Sequence, residues 1–142
     1  MGLDMYLTGD KFKRTKYDDD YNEINVSYVD GFPCKTQRLD LGYWRKFGPL
    51  HRYIVEIYAD GQDDCRPVFL NEDDLRDIAD AIRTDRLTPN EDSHGFFFGD
   101  SERWDELRAQ AEEHAQVFDK AADWTSSETD EYWHSVEYCA SW

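Results

Sequence analysis

The sequence predicts an α+β fold, in which a small antiparallel sheet packs against about three helices in a single domain spanning residues 1–142. Three observations lead to this prediction. The chain of 142 residues has the length of one ordinary domain. Aromatic residues make up 15% of it, enough large rings to form a core despite the high charge. Strand-like segments come first, helical segments follow and a strand-like segment ends the chain, which is the order of an α+β protein.

The N-terminal third contains the first strand signals. Residues 3–7 alternate between aliphatic and more polar side chains and are predicted to form a half-buried strand. The basic and then acidic stretch at 11–20 is expected to be a surface loop or hairpin. A second strand is predicted over 24–29, because apolar residues alternate there, and the Asp-Gly-Phe-Pro sequence at 30–33 predicts a turn after it.

The first helix is predicted to begin at Pro49, because proline is well suited to the first helical turn. Trp44 and Phe47 are expected on a separate turn before it. The apolar stripe has helical spacing, ends before Asp60-Gly61 and consists of Leu50, Tyr53, Ile54, Ile57 and Tyr58.

A short strand is predicted at residues 68–70, and Asn71 is predicted to cap the helix that follows, with acidic residues in its first turn. The predicted buried stripe of this helix is Leu75, Ile78, Ala79 and Ile82. Residues 84–95 are expected to form a loop. The three phenylalanines at 96–98 are expected to enter the core or a contact surface.

The longest helix is predicted to open at Asp100 or Ser101 and to end at residues 125–127. One side of it is apolar and the other charged, as in a helix that packs on one face. Its predicted buried stripe is Trp104, Leu107, Ala111, Ala115, Phe118 and Ala122. The run from residue 132 to 142 is predicted to be the last strand, with His134, Val136, Tyr138 and Ala140 in phase.

Charge is unevenly distributed along the chain. Residues 1–52 carry nine Lys/Arg and eight Asp/Glu, residues 53–142 carry seven and 24, and the formal net charge is −16. Because carboxylates repel phosphates, direct binding to DNA or RNA is not expected. The acidity either serves solubility alone or provides a face that docks on a basic host protein, one that itself binds nucleic acid.

The sequence also bears on compartment. No stretch approaches the roughly 18 consecutive apolar residues of a membrane helix. The N-terminus has no basic segment followed by an apolar run, so neither membrane insertion nor secretion is expected. Cys34, Cys65 and Cys139 are odd in number and widely spaced, so all three are expected to be reduced thiols in a reducing cytosol.

Several short motifs occur together: MGLDMYL at residues 1–7, GYWRK at 42–46, DGQDDC at 60–65, GFFFG at 95–99 and ASW at 140–142. In this order, across nearly the whole chain, they resemble a group of small bacteriophage and prophage proteins of unassigned function. The resemblance implies a phage-encoded protein that acts in the host cytoplasm. It supplies no established catalytic residues to carry over.

Motifs of common enzyme classes are not found in the sequence. It contains no Walker A loop and none of the patterns G-x-G-x-x-G, G-x-S-x-G or H-E-x-x-H. The histidines and cysteines do not occur at the spacing typical of metal ligands, such as C-x2-C. We therefore expect no metal and no cofactor, and we do not predict an enzymatic activity.

One short segment combines cationic and aromatic residues: Trp44, Arg45 and Lys46, followed by His51 and Arg52. Such a cluster suits an anionic, stackable ligand such as a nucleotide, since Trp44 offers stacking and an arginine offers bidentate phosphate contact. A small-molecule binder or nucleotide hydrolase is thus one hypothesis. The alternative is that Trp44 lies in the core while the cations pair with surplus carboxylates.

The leading hypothesis is a non-enzymatic phage accessory protein that binds and inhibits a host macromolecule, as an anti-defence or anti-CRISPR-like protein does. Its acidic helix faces would enter a basic groove meant for nucleic acid. The acidic residues predicted to contact the partner are Glu72, Asp73, Asp77, Asp80, Glu102, Asp105, Glu106, Glu112 and Glu113. A virion or assembly component is a further alternative, and the sequence does not indicate an oligomeric state.

Overall fold

The computed structural model describes residues 2–87 and 101–142. Along these ranges the elements are β1 (Asp4–Lys13), β2 (Tyr28–Val29), β3 (Phe32–Pro33), β4 (Thr36–Arg45), α1 (Gly48–Tyr58), β5 (Val68–Leu70), α2 (Glu72–Arg83), α3 (Ser101–Ala109), α4 (Ala111–Ser126) and β6 (Tyr132–Ser141). Strands β4, β1, β6 and β5 form an antiparallel sheet in that order, and β2 pairs with β3. The predicted α+β class with an antiparallel sheet is confirmed.

The core lies between the helices and one face of the sheet, here called the inner face. Helix α4 packs on α2 and contacts β4 and β6, while α1 and α2 contact β5. Strand side chains alternate between faces, so every second residue meets this helical layer. The inner face consists of the buried residues Met5, Leu7, Trp44, Val68, Leu70, Val136, Tyr138 and Ala140.

Helices α1 and α2 begin where the sequence predicts. Pro49 lies in the first turn of α1. Asn71 caps α2 through a reciprocal capping box: the backbone N–H of Asp74 donates to Asn71 Oδ1 at 2.8 Å, and the N–H of Asn71 donates to Asp74 Oδ2 at 3.0 Å. The predicted stripe of α2 is buried, but Ile57 of α1 is half exposed, and His51 is buried in its helix.

The predicted longest helix is divided into α3 and α4. The chain turns at Gln110, which precedes the first residue of α4 and makes no side-chain cap. The predicted stripe is still largely buried, because Trp104 and Leu107 of α3 and Ala115, Phe118 and Ala122 of α4 all enter the core. The helix ends at Ser126, as predicted.

The strand predictions are confirmed at the two termini and for β5, and they are wrong in between. Strand β1 continues through residues 11–13, which were expected to lie in a loop. Only residues 28–29 of the second predicted strand are paired, in a hairpin whose turn residues Asp30 and Gly31 have φ of 51° and 82°. Residues 14–35 form a projection between β1 and β4, here called the arm.

Two predicted features fall partly or wholly outside the described residues. The loop at 84–95 is described only as far as residue 87, and the phenylalanines at 96–98 are not described. Within the described ranges, no helix combines the length and the apolar character needed to cross a bilayer. All three cysteines are free thiols.

Candidate functional site

Trp44, the predicted stacking residue, lies in the core. Its side chain is only 4% exposed, and its ring stacks on Phe118 with centroids 5.0 Å apart and planes 9° apart. The indole Nε1–H donates to Nδ1 of His114 at 3.1 Å. Trp44 therefore joins β4 to α4, and its ring is occupied by protein neighbours.

His51 is also buried, and both of its ring nitrogens are engaged. Nδ1 lies 2.5 Å from the hydroxyl of Tyr138, and Nε2 lies 2.9 Å from Oδ1 of Asp63. Burial lowers the pKa of His51, and this effect outweighs the nearby negative charge of Asp63, which acts to raise it. The ring is therefore neutral near pH 7. In this form Nε2–H donates to Asp63 and Nδ1 accepts from Tyr138, which fastens the loop after α1 to α1 and β6.

The cationic members of the predicted cluster lie in different surroundings. The backbone carbonyl of Arg45 accepts a hydrogen bond from Arg103 Nη2 at 3.2 Å, and the N–H of Lys46 donates to the carbonyl of Leu3 at 2.8 Å. Arg52 forms an i,i+4 ion pair with Glu56 at 3.0 Å. With Trp44 and His51 both turned into the protein, the five predicted residues do not converge on one ligand site.

Arginines compensate much of the predicted acidic surface on the helices. Arg83 of α2 pairs with Glu112 at 2.9 Å and with Asp119 at 2.6 Å, both on α4. Arg76, two turns earlier, pairs with Asp119 at 3.2 Å and with Asp123 at 2.5 Å. These contacts form an ion-pair ladder between α2 and α4, so their carboxylates already have partners within the protein.

The other predicted acidic residues follow the same trend. Arg76 also lies 3.7 Å from Glu72, and Arg86 pairs with Asp77 and Asp80. Arg103 and Arg108 of α3 pair with Glu106 and Asp105 respectively. Among the described residues, exposed Asp73 and Glu113 form no ion pair, and the side chain of Glu102 lies outside the description. The described helices therefore carry a mixed pattern of charge.

The opposite face of the sheet has a different character, and the described helices leave it exposed. It consists of the outward-pointing residues that alternate with the core positions, and we call it the open face. Outward-pointing residues that lie opposite one another on neighbouring strands form rows across this face. From one end to the other the rows are Arg45–Asp4–Ser141, Tyr43–Tyr6–Cys139, Asp40–Thr8–Glu137–Phe69, Arg38–Asp10–Ser135 and Thr36–Phe12–Trp133.

Two of these rows are aromatic. The rings of Tyr6 and Tyr43 are 5.3 Å apart, and those of Phe12 and Trp133 are 5.5 Å apart. Tyr43, Trp133 and Phe69 are 55%, 54% and 68% exposed. Exposed aromatic groups gathered on one surface are typical of a contact site for another molecule.

A charged band separates the two aromatic rows. Arg38 Nε lies 2.9 Å from Oδ1 of Asp10, and Arg38 Nη2 lies 2.8 Å from Oε1 of Glu137. The hydrogen bond that Arg38 donates to Asp10 raises the pKa of Arg38, and the negative charges of Asp10 and Glu137 raise it further. Asp40 is exposed and has no ion-pair partner among the described residues. The band thus holds three carboxylates and one guanidinium group, and it is acidic.

The arm extends from the end of the sheet at which Phe12 and Trp133 lie. Its residues make few contacts with the body, although Lys13 and Lys16 anchor its base through Ser27 and Glu131. Several apolar side chains are exposed there: Tyr17, Tyr21, Ile24, Tyr28, Val29 and Phe32. The arm therefore adds exposed apolar side chains next to this end of the sheet.

Sequence reasoning did not identify the open face. A signal was present in β1 and β6, where aromatic residues alternate with the core positions: Tyr6 and Phe12 lie out of phase with Met5 and Leu7. Alternation alone does not show which of two partly apolar faces a helical layer will cover. That choice depends on contacts between distant parts of the chain.

Comparison with known proteins adds no assignment to this geometry: no family model, curated protein or solved structure matches the chain. Within residues 2–87 and 101–142, no group of three or more His, Cys, Asp or Glu side chains is arranged to hold a metal ion. The open face offers aromatic surface and carboxylate charge. Both suit the binding of a partner by ring contacts and charge pairing.

Proposed function

We propose that the chain is a phage-encoded accessory protein that binds and inhibits a basic host macromolecule through its open face. The observation that carries the proposal is the pair of exposed aromatic rows on either side of an acidic band. The resemblance to small phage proteins supports the biological setting, in which such a protein acts against a defence component in the host cytoplasm.

The aromatic rows supply the area on which such binding would depend. Tyrosine and tryptophan contribute a large share of binding energy at protein interfaces, because they bury much surface at a low entropic cost. Tyr43 and Trp133 lie toward opposite ends of the open face, and Phe69 adds an exposed ring to this face on strand β5. A partner that spans these residues would exclude water from the charged band between them.

The charged band indicates the sign of the partner's charge. Aromatic residues on an antiparallel sheet also bind single-stranded RNA in some folds, but the phosphates there require nearby cations. Here Asp10 and Glu137 surround Arg38, and Asp40 adds a further negative charge. This favours a basic protein surface over a nucleic acid, consistent with a net charge of −16.

The proposed partner is therefore the one expected from the sequence, a basic host protein such as one that binds nucleic acid, but the proposed surface is different. The acidic faces of α2, α3 and α4 are largely paired with arginine, and their carboxylates would have to lose those partners before meeting another protein. On the open face the aromatic rings are exposed without any such rearrangement.

The test is a capture experiment with immobilised protein and host lysate, read by mass spectrometry at about 50 mM and about 500 mM salt. The wild-type chain is compared with a double variant, Phe69→Ser and Trp133→Ser, which removes two exposed open-face rings. We expect a specific basic protein to bind the wild-type chain at low salt and to be lost from the double variant. Rebinding of the purified partner then gives its affinity.

Two controls locate the surface. Ile57→Ser changes a residue of α1 that is about as exposed as Trp133 but lies in the helical layer, and it should leave capture intact. Asp73→Asn with Glu113→Gln removes two exposed helix carboxylates that form no ion pair among the described residues. If this second control abolishes capture while the open-face variant retains it, the open-face proposal is wrong and the helices form the interface.

A further inference from the structure

A β-bulge interrupts the pairing of β1 with β4 in the middle of the open face. Leu7 pairs with Gly42 and Thr8 pairs with Asp40, so Leu41 is the extra residue of β4. Bulges redirect side chains locally and often occur beside binding sites. Here the bulge separates the tyrosine row from the row that holds Asp40, and a groove of about 410 Å³ lies over it.

Two tyrosine rings form the wall of this groove. Tyr6 and Tyr43 are neighbours across the strands, their planes are inclined at 48°, and both are about half exposed. The hydroxyl of Tyr43 donates to Oδ1 of Asp4 at 2.5 Å, and this hydrogen bond raises the pKa of Tyr43. The ring is therefore held in place as a neutral phenol, and its electron-rich face can attract a cation.

Asp40 supplies a charge at the other side of the groove. Among the described residues its carboxylate accepts no hydrogen bond and forms no ion pair, whereas Asp10 and Glu137 in the same band share Arg38. An exposed carboxylate beside two ordered aromatic rings is complementary to a cation with an apolar stem. Lysine and arginine side chains have that structure.

We propose that the groove over the bulge binds one lysine or arginine side chain of the basic partner. The ammonium or guanidinium group pairs with Asp40, and the apolar stem and the cation lie against the rings of Tyr6 and Tyr43. This inference rests on the proposed function, and it names the part of the open face that selects for positive charge.

The test is an NMR titration with a hexalysine peptide, in which the backbone amide signals of Asp40 and Leu41 are followed. The matched probe is the same peptide with every lysine acetylated, which keeps the stem and removes the charge. We expect saturable shifts with hexalysine and none with the acetylated peptide. Tyr43→Leu and Asp40→Asn should each weaken binding about 3- to 10-fold.

Asp60→Asn is the matched control for Asp40→Asn, because it removes one exposed carboxylate from the loop after α1 and leaves the groove unchanged. Its affinity for hexalysine should equal that of the wild-type chain within a factor of about two, since a distant exposed charge is largely screened. Equal weakening by both substitutions would show that only total charge matters, and this would overturn the inference. Tyr6→Leu gives an independent check on the aromatic wall.

The outcomes separate this inference from the proposed function. If the captured basic protein requires Phe69 and Trp133 but binds Tyr43→Leu and Asp40→Asn as tightly as wild type, the groove site is wrong and the open-face function stands. If hexathymidylate moves the same signals as strongly as hexalysine, the groove does not select cations and both proposals fail.

Discussion

The two faces of one sheet differ in what covers them. On the inner face, Met5, Leu7 and Tyr138 are at most 1% exposed because the helical layer covers this face. On the open face, Tyr43 and Trp133 carry comparable apolar area and remain more than half exposed. The difference shows that apolar character alone does not place a residue in the core; a neighbouring element must be present to exclude water from it.

The largest expected effect compares two phenylalanines on opposite sides of the sheet. Phe118→Ala should lower the free energy of unfolding by about 3–5 kcal/mol, because the ring is fully buried and stacks on Trp44. Phe69→Ala should change it by no more than about 0.5 kcal/mol, because that ring is mostly exposed. Urea unfolding of both variants measures the difference, and equal costs would break the comparison.

A smaller effect is expected where an added methyl group meets the helical layer. In Gly42→Ala the new Cβ would lie 2.7 Å from Cη2 of Trp44 and 2.8 Å from Cγ1 of Val117. Relieving this overlap should cost about 1–3 kcal/mol of unfolding free energy. Ser135→Ala on the open face is the control and should be nearly neutral. If Gly42→Ala were also neutral, β4 would be more loosely packed against α4 than the structure shows.

The smallest expected effect is a dependence of the free energy of unfolding on pH. It tests the buried side of the comparison, because the two histidines responsible, His51 and His114, both lie on the helical side of the sheet. Burial lowers the pKa of His51 and of His114 from 6.5, so protonation favours the unfolded chain. Their contribution to stability is full above about pH 6.5 and is lost as the pH falls through the lowered folded values. Glu112, whose pKa Arg83 lowers from 4.5, acts only at more acid pH.

Urea unfolding at a series of pH values between about 8 and about 5 tests this expectation. The free energy of unfolding should decrease toward acid pH, and it should decrease less steeply in His51→Asn, which lacks one of the two groups. A wild-type stability that is constant over this interval would contradict the buried, neutral state assigned to these histidines.

Local signals in the sequence were sufficient for several elements. Asn71 followed by three acidic residues predicted the start of α2, and the capping box confirms it. Alternation predicted β6 with His134, Val136, Tyr138 and Ala140 in phase, and the structure buries all four. The cap involves residues close in sequence, and the alternation of a strand can be read from its own segment without knowing which strand it pairs with.

Strand β4 was missed for a physical reason. Its first half, residues 36–40, is exposed on both faces, so it carries no alternation of apolar and polar side chains. The bulge at Leu41 then shifts the phase of the remainder, and a regular period-two pattern cannot describe both halves. The strand forms because β1 supplies a hydrogen-bonding partner along nearly its whole length.

The burial of His51 and the pairing of the acidic helices were likewise beyond local reasoning. His51 enters the core because Tyr138 and Asp63, distant in sequence, satisfy its two ring nitrogens. The carboxylates of α4 are compensated because arginines of α2 lie opposite them. Both outcomes depend on which helices become neighbours, and composition does not contain that information.

By itself the sequence determined the α+β class, the positions of α1, α2, β5 and β6, and an acidic net charge, since each follows from residue type and short-range periodicity. Only the tertiary structure decided which face of the sheet became the core, which carboxylates were neutralised and which aromatic rings remained exposed. Burial and charge compensation are properties of residues brought together from distant positions, so they exist only once the chain has folded.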